Sequence, residues 1–258
     1  MKISDALQHY LVSSFEREDS LRERKYYISD MGKCPRMRWI KRKGVNVRFE
    51  PHVYWILQLG NLIHDYGYKA LQSQELLLES ESSFSTDQFS GRFDGLIKDG
   101  TKKAVFDFKS AGGYKMGLIR KGNDDQENIS QVLASTLILK EQRKDISDTA
   151  YVVYINKEPG EKNPVNFFQK EYHLTSWNIK NLTEEMTTMA EYWDKDKIPA
   201  CTCVGWQKDY NSYLPFCNAP EKEIRKLLEY IKTGKKLIST KTSITLVDGE
   251  TKKEVLKI

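Results

Sequence analysis

The sequence predicts an α/β protein with a mixed central β-sheet flanked by helices, and three observations lead there. Five short segments rich in Val, Ile, Phe and Tyr, at 76–85, 91–97, 103–110, 149–156 and 166–174, read as strands. Turn residues such as Lys98-Asp99-Gly100-Thr101 and Glu158-Pro159-Gly160 separate them. Between the third and fourth strands, residues 126–143 place Ile129, Val132, Leu133, Thr136 and Leu137 on one helical face, as a crossover helix requires. Ahead of the strands, residues 53–72 carry Ile56, Leu59, Ile63, Tyr66 and Ala70 at helical steps, with His64 beside that stripe.

The later elements follow from the same rules. Ser176 is positioned to cap a helix whose Ile179, Leu182, Met186, Met189 and Trp193 keep helical spacing. Past Cys217, Asn218 is expected as a cap with Pro220 in the first turn. Glu221 and Glu223 then lie near the positive helix end, and Ile224, Leu227, Leu228 and Ile231 form an apolar face. Residues 243–258 suggest a hairpin about Asp248-Gly249. No repeat or long linker interrupts the chain, so one domain over 1–218 and an appendage over 219–258 are expected.

Composition narrows the class. The chain has 258 residues, of which 39% are hydrophobic, enough for a buried core. No apolar run approaches the roughly 18 to 20 residues that span a bilayer. The N-terminus, beginning Met1-Lys2-Ile3-Ser4-Asp5, lacks the pattern of a secretory signal, so a cytoplasmic protein with no membrane partner is expected. Lys and Arg number 41 against 36 Asp and Glu, a formal charge of +5, and their placement says more than their sum. Arg17, Arg22, Arg24, Lys25, Lys33, Arg36, Arg38, Lys41, Arg42, Lys43 and Arg48 crowd the first fifty residues, with Tyr26, Tyr27 and Trp39 among them. This is either a phosphate-binding surface or a solvated helix face.

The most informative stretch is Gly91-Arg92-Phe93-Asp94-Gly95-Leu96-Ile97, a turn, then Val105-Phe106-Asp107-Phe108-Lys109-Ser110. On a strand, Asp107 and Lys109 share one face while Phe106 and Phe108 point to the other. A two-residue loop of Gly100 and Thr101 pairs residues whose numbers total 201, which sets Asp94 opposite Asp107. A loop of Asp99 and Gly100 instead leaves the two carboxylates diagonal on the same face. Facing carboxylates on a half-buried sheet repel unless a cation lies between them, and oxygen ligands suit Mg²⁺ or Mn²⁺. Such an ion polarises a phosphoryl oxygen and acidifies water, while Lys109 can stabilise developing charge. The plainer alternative is a pair of solvent-facing acids with Lys109 as a surface partner.

Gly60-Asn61-Leu62-Ile63-His64, Gly91-Arg92-Phe93-Asp94, Asp107-Phe108-Lys109 and Gln131 occur in this order and at these intervals. Here the chain resembles the RecB-like nucleases of the PD-(D/E)xK superfamily. The resemblance implies a restriction-endonuclease-like core in which His64, Asp94 and Asp107 bind metal, Lys109 assists attack on the phosphodiester, and Gln131 orients the site or DNA. The family often has Tyr four residues after the Gln, where this chain has Ser135. Taken alone, His64 reads equally as a core histidine and Gln131 as a surface amide. Glu81, on the first expected strand, is left outside the catalytic set.

Cys34, Cys201, Cys203 and Cys217 are the four cysteines, and as thiolates they suit either a [4Fe-4S] cluster or zinc. Spacing alone does not separate the two. One Cys before the nuclease motifs and three after them, with Cys34-Pro35-Arg36 running to Trp39, resembles the iron-sulfur branch of the superfamily, which includes CRISPR-associated exonucleases and the AddB nuclease domain. That likeness implies a [4Fe-4S] cluster stapling the N-terminal region to the C-terminal segment in a helical lobe. The close Cys201-Thr202-Cys203 pair and the distant Cys217 depart from the branch's usual spacing.

The resemblance covers residues 25–218 and no G-x-x-x-x-G-K-[ST] motif is present, so no ATP-driven motor is expected. It implies a metal-dependent exonuclease acting on single-stranded DNA ends with 5′-to-3′ polarity, in antiviral defence. A loop carrying Tyr114, Lys115, Arg120 and Lys121, with Arg36 and Arg38, is expected to guide the strand. Alternatives are a DNA-end-binding subunit of a CRISPR adaptation or recombination complex, and a structure-specific endonuclease. Homo-oligomerisation stays open.

Overall fold

The structure is a computed structural model that describes residues 3–15, 25–160, 164, 166–205, 207–208, 211–247 and 254–257. In chain order it contains α1 (Ile3–Phe15), β1 (Tyr26–Tyr27), α2 (Pro35–Arg42), β2 (Asn46–Val47) and α3 (Pro51–Ser73). Then come β3 (Leu77–Ser80), β4 (Ser83–Ser85), β5 (Phe89–Arg92), β6 (Gly95–Asp99), β7 (Lys102–Ala111), α4 (Gly113–Arg120) and α5 (Gln126–Gln142). β8 (Ile146–Asn156), β9 (Phe167–His173), α6 (Ser176–Asp194), α7 (Leu214–Asn218), α8 (Glu221–Lys232), β10 (Lys236–Ser239), β11 (Ile244–Val247) and β12 (Glu254–Lys257) complete it. The chain divides into two compact units, one formed by residues 27–32 and 56–186, the other by 1–26, 33–55 and 187–258. Among the described residues no helix is long and apolar enough to cross a membrane.

The 56–186 unit holds a five-stranded sheet in the order β3-β6-β7-β8-β9. It is mixed, as the sequence predicts: β7 and β8 run parallel and every other pair antiparallel. A parallel pair needs a crossover, and α4 and α5 supply it. Asp125 opens α5 by accepting a hydrogen bond from the Glu127 amide at 3.2 Å, which satisfies a donor that the helix cannot. The helix then buries Val132, Leu133, Leu137 and Ile138 against β7 and β8. The opposite side of β7 presents Phe106 and Phe108, with Ile155, to Ile63, Tyr68 and Leu71 of α3.

Two strands differ from expectation. The segment 76–85 is broken at Glu81, whose φ of +50° lies in the left-handed region that extended backbone cannot use, so β3 and β4 enter different sheets. The segment 91–97 is likewise split at Phe93-Asp94 between β5 and β6. In α3 the inward face is rotated from the predicted stripe. Tyr66 is 60% and Ile56 47% exposed, while Ile63 of that stripe faces the sheet, joined by Gly67, Tyr68 and Leu71. The cause is Gly67: a Cβ there would lie 2.5 Å from the Phe108 ring, so the bare backbone sets which side approaches most closely.

The other unit builds a four-stranded sheet in the order β12-β11-β10-β2. β10 pairs with β2 in parallel, through Ile238 with Asn46 and Ser239 with Val47, so the segment after Asn218 shares a sheet with residues near Cys34. β11 and β12 form the expected antiparallel pair, and the Asp248-Gly249 turn lies outside the described residues. Two predicted caps shift by one or two places. Thr175, not Ser176, accepts from the Asn178 amide at 3.2 Å at the start of α6. Pro220, not Asn218, precedes α8, because Asn218 is taken up as the last residue of α7.

Candidate functional site

The β6–β7 hairpin has the register that the two-residue turn predicts. Gly95 pairs with Phe106 and Asp99 with Lys102, leaving Gly100 and Thr101 as the loop. Gly100 adopts φ +60°, the positive value that such a turn demands at its first central residue. Asp94 therefore stands at the head of β6, beside Asp107 of β7. Gly95 keeps the strands close there: a Cβ would meet the Phe106 ring at 2.5 Å and the Glu79 carbonyl oxygen at 2.7 Å.

Strand alternation turns Asp107 and Lys109 toward α5, where Gln131 waits. Lys109 Nζ lies 2.7 Å from Asp107 Oδ2 and donates to Gln131 Oε1 at 2.9 Å. Gln131 Nε2 in turn donates to Asp107 Oδ1 at 3.0 Å. Each of the three side chains thus holds the other two, and Asp107 is only 4% exposed. Asp94 Oδ2 accepts from the Phe108 amide at 2.6 Å and lies 3.6 Å from His64 Nδ1. The His64 ring rests against Phe108 and Tyr68 at 5.7 and 6.3 Å between centroids. His64, Asp94, Asp107, Lys109 and Gln131 are all brought together within one unit.

Electrostatics shows a strained acidic site. Burial, followed by the neighbouring Asp107 charge, pushes Asp94 up to about 7. Burial draws Lys109 down, yet the Asp107 carboxylate outweighs it and leaves the ammonium raised and charged. Burial lowers His64, which keeps its imidazole neutral and able to act as a ligand. A cation between Asp94 and Asp107 would relieve the repulsion that raises Asp94. Two oxygen donors and one imidazole nitrogen suit a hard divalent ion, so the residues fit Mg²⁺ or Mn²⁺ in kind. Their ligand atoms are not gathered as closely as those of the cysteines, and Lys109 occupies one Asp107 oxygen.

Glu81 is not on a strand. Its amide donates to the Asp94 carbonyl at 3.0 Å, its carboxylate lies 3.7 Å from Arg92, and its charge reaches His64 and Tyr68. Tyr68, which no motif in the sequence singles out, packs on both His64 and Phe108. Its position four residues after His64 on a helix was the available signal.

The basic residues fall into two groups. Tyr114, Lys115 and Arg120 lie on the helix α4 and Lys121 just after it, not in a loop. Tyr114 is 82% exposed, Arg120 and Lys121 are exposed, and Lys115 pairs with Asp125 at 2.7 Å. The N-terminal cations behave otherwise. Arg38 is 2% exposed, buried near the Tyr26 ring, and therefore not presented to phosphate. Arg36 donates to the carbonyls of Pro199, Cys217 and Ala219 at 2.8, 3.0 and 3.2 Å. Arg42 lies over the Tyr26 and Trp193 rings at 4.5 and 3.9 Å, and Lys43 contacts Trp193 and Asp196. These cations serve packing rather than a binding surface. Arg17, Arg22 and Arg24 lie outside the described residues.

In the unit that holds these N-terminal cations, Cys34, Cys201, Cys203 and Cys217 converge, with all four sulfurs within 4.8 Å of one another. Four sulfurs so placed can hold a metal. Cys34 opens α2, Cys217 lies in α7, and Met37 and Leu214 pack around the group. The hydrogen bond from Cys217 holds the Cys34 thiol down at about 4, while burial pushes Cys203 up to about 12.

No known protein-family profile matches the chain, and no curated protein matches it. Among solved structures, that of SSO0001 is similar over 85% of this chain and 97% of its own, at 16% identity and a TM-score of 0.50. The chain accordingly belongs to the class of mixed α/β proteins with that fold. An alkaline exonuclease (LHK-Exo) from Laribacter hongkongensis is similar over 73% of this chain and 94% of its own, at 9% identity and a TM-score of 0.46. A phage related exonuclease from Haemophilus somnus 129PT follows, over 54% of this chain and 70% of its own, at 12% identity and a TM-score of 0.37.

Proposed function

We propose that the protein is a metal-dependent DNA exonuclease that hydrolyses phosphodiester bonds at single-stranded ends. The observation that carries this reading is the closed contact of the buried Asp107 with Lys109 and Gln131, beside the half-buried Asp94 and His64. Structural scaffolding does not need a buried carboxylate beside a half-buried one, with a lysine and a glutamine between sheet and helix. Hydrolysis of a phosphodiester can use each of these groups, the carboxylates to hold a metal and the ammonium to offset developing charge.

Asp94 and Asp107, with His64, would hold Mg²⁺ or Mn²⁺, which supplies Lewis-acid polarisation of the phosphoryl oxygen and a more acidic water. Lys109 brings a fixed positive charge to where the phosphoryl oxygens become more negative. Gln131 positions Lys109 through Oε1 and Asp107 through Nε2, so the helix α5 sets the geometry of both. Phe106 and Phe108 seal the far side of β7 against water. Tyr114 and Arg120 on α4, which begins two residues after β7, with Lys121 just beyond its end, would guide a strand by stacking and phosphate contact. Polarity from 5′ to 3′ and work beside CRISPR adaptation or recombination proteins rest on the family resemblance.

The test compares wild type with Asp107→Ala on end-labelled linear single strands and on closed circular single strands, with Mn²⁺ or EDTA. Shortening of linear DNA by wild type alone, dependent on metal and sparing circles, supports the proposal. Equal cutting by Asp107→Ala overturns it, and cutting of circles replaces the exonuclease with an endonuclease.

A further inference from the structure

The cysteine quartet has dimensions that discriminate between the groups four thiolates can hold. Cys34 Sγ lies 3.8 Å from Cys201 Sγ and 3.8 Å from Cys217 Sγ, and Cys203 Sγ lies 3.9 Å from Cys217 Sγ. A zinc ion with Zn–S bonds of about 2.3 Å holds its thiolates about 3.8 Å apart, since a tetrahedron's edge is about 1.63 times its centre-to-corner distance. In a [4Fe-4S] cluster each thiolate caps a different iron, at a different corner of a cube. The cysteine sulfurs then stand apart by more than an iron–iron edge, because each Fe–S bond points outward. A span of 4.8 Å leaves no room for four irons and four sulfides.

A second observation concerns the charge such an ion leaves behind. Asn211 is 5% exposed, and its Nδ2 donates to Cys203 Sγ at 3.1 Å and to Cys217 Sγ at 3.3 Å. Its Oδ1 accepts from the Tyr213 amide at 2.8 Å, which fixes the amide with its N–H groups toward sulfur. A buried amide that donates to two sulfurs suits anionic thiolates, since neutral thiols are weak acceptors.

We propose that Cys34, Cys201, Cys203 and Cys217 hold one tetrahedral thiophilic divalent ion of the zinc type, with Asn211 as the positioning residue that steadies its thiolates. On binding, each thiol releases its proton to solvent and no electron is transferred. Four thiolates around one dication carry a formal charge of −2, part of which the two Asn211 N–H groups disperse. All four positions are taken by protein, so the ion is structural: it ties the start of α2 to the 201–217 segment, a closure that Arg36 reinforces through three carbonyls. This inference is independent of the nuclease reading.

The experiment measures metal and acid-labile sulfide in wild-type protein purified anaerobically without chelator, and replaces the ion with cobalt(II). About one zinc per chain, no sulfide, and the intense visible bands of tetrahedral cobalt thiolate are expected. Iron and sulfide in equal amounts, with brown colour, would overturn the proposal, as would a folded protein that binds no zinc. Asn211→Asp keeps the acceptor for the Tyr213 amide and loses both donors. In chelator competition it is expected to weaken zinc binding about 10- to 100-fold. Unchanged affinity would remove Asn211 from the proposal, and the wild-type metal content decides the ion even if that variant fails to fold.

Discussion

Gln131 Nε2 donates to Asp107 Oδ1 across the gap between α5 and β7. Because the same amide receives Lys109 Nζ on Oε1, its loss frees both groups at once. Gln131→Ala is expected to lower kcat about 10- to 100-fold with little change in KM, as removal of a group that orients others does. Gln131→Glu is expected to be worse, since it sets a third carboxylate against Asp107. Single-turnover digestion of end-labelled DNA separates the two constants.

Lys109→Met removes the positive charge and keeps much of the side chain's length. A loss of about 100- to 1,000-fold in cleavage is expected, comparable with deleting one donor to a developing oxyanion. Lys109→Arg is not expected to restore activity, because a planar guanidinium does not reproduce the compact contact with Asp107 and Gln131. DNA affinity measured in EDTA should change by no more than a few-fold; a large fall there would mean that Lys109 acts in binding.

Gly67 and Gly95 test how the site is positioned. Gly67→Ala gains about 1 kcal/mol of helix propensity. Against this, its methyl meets the packed Phe108 ring at 2.5 Å, and overpacking costs about 1–3 kcal/mol. Net destabilisation of about 1 kcal/mol is expected in urea unfolding, with reduced activity because α3 carries His64. Gly95→Ala is expected to cost more, since one of its clashes is with the Glu79 carbonyl, which is backbone and cannot rotate away.

The two groups of cations should separate in salt titrations. For single-stranded DNA, every phosphate that a protein no longer neutralises lowers the slope of log affinity against log salt by about 0.7. Arg120→Gln with Lys121→Gln is expected to lower the slope by about 1.4 and leave the unfolding midpoint unchanged. Arg42→Ala should do the reverse, because its guanidinium lies over Tyr26 and Trp193 inside the protein. A lowered salt slope for Arg42→Ala would return the N-terminal cluster to the DNA-binding surface.

The sequence by itself determined what depends on local periodicity and turn chemistry. Strand alternation separates Asp107 and Lys109 from Phe106 and Phe108, and either two-residue turn the sequence allows sets Asp94 on the same face as Asp107; the register of the folded hairpin selects Gly100-Thr101. The parallel β7–β8 pair followed from a helix-length connection, and the order of the motifs singled out His64 and Gln131. What only the tertiary structure decided depends on contacts between residues far apart in the chain. Local spacing did not reveal that Gly67 would rotate α3 until His64 faced Phe108, since that depends on which helix side lacks a Cβ against the sheet. Nor did composition reveal that Arg38 and Arg42 would be buried, because aromatic faces from Tyr26 and Trp193 arrive from separate segments to cover them. The distances among four sulfurs, and the approach of Asn211 to two of them, belong to the same class. Sequence says which thiols exist, but only packing sets how far apart they stand.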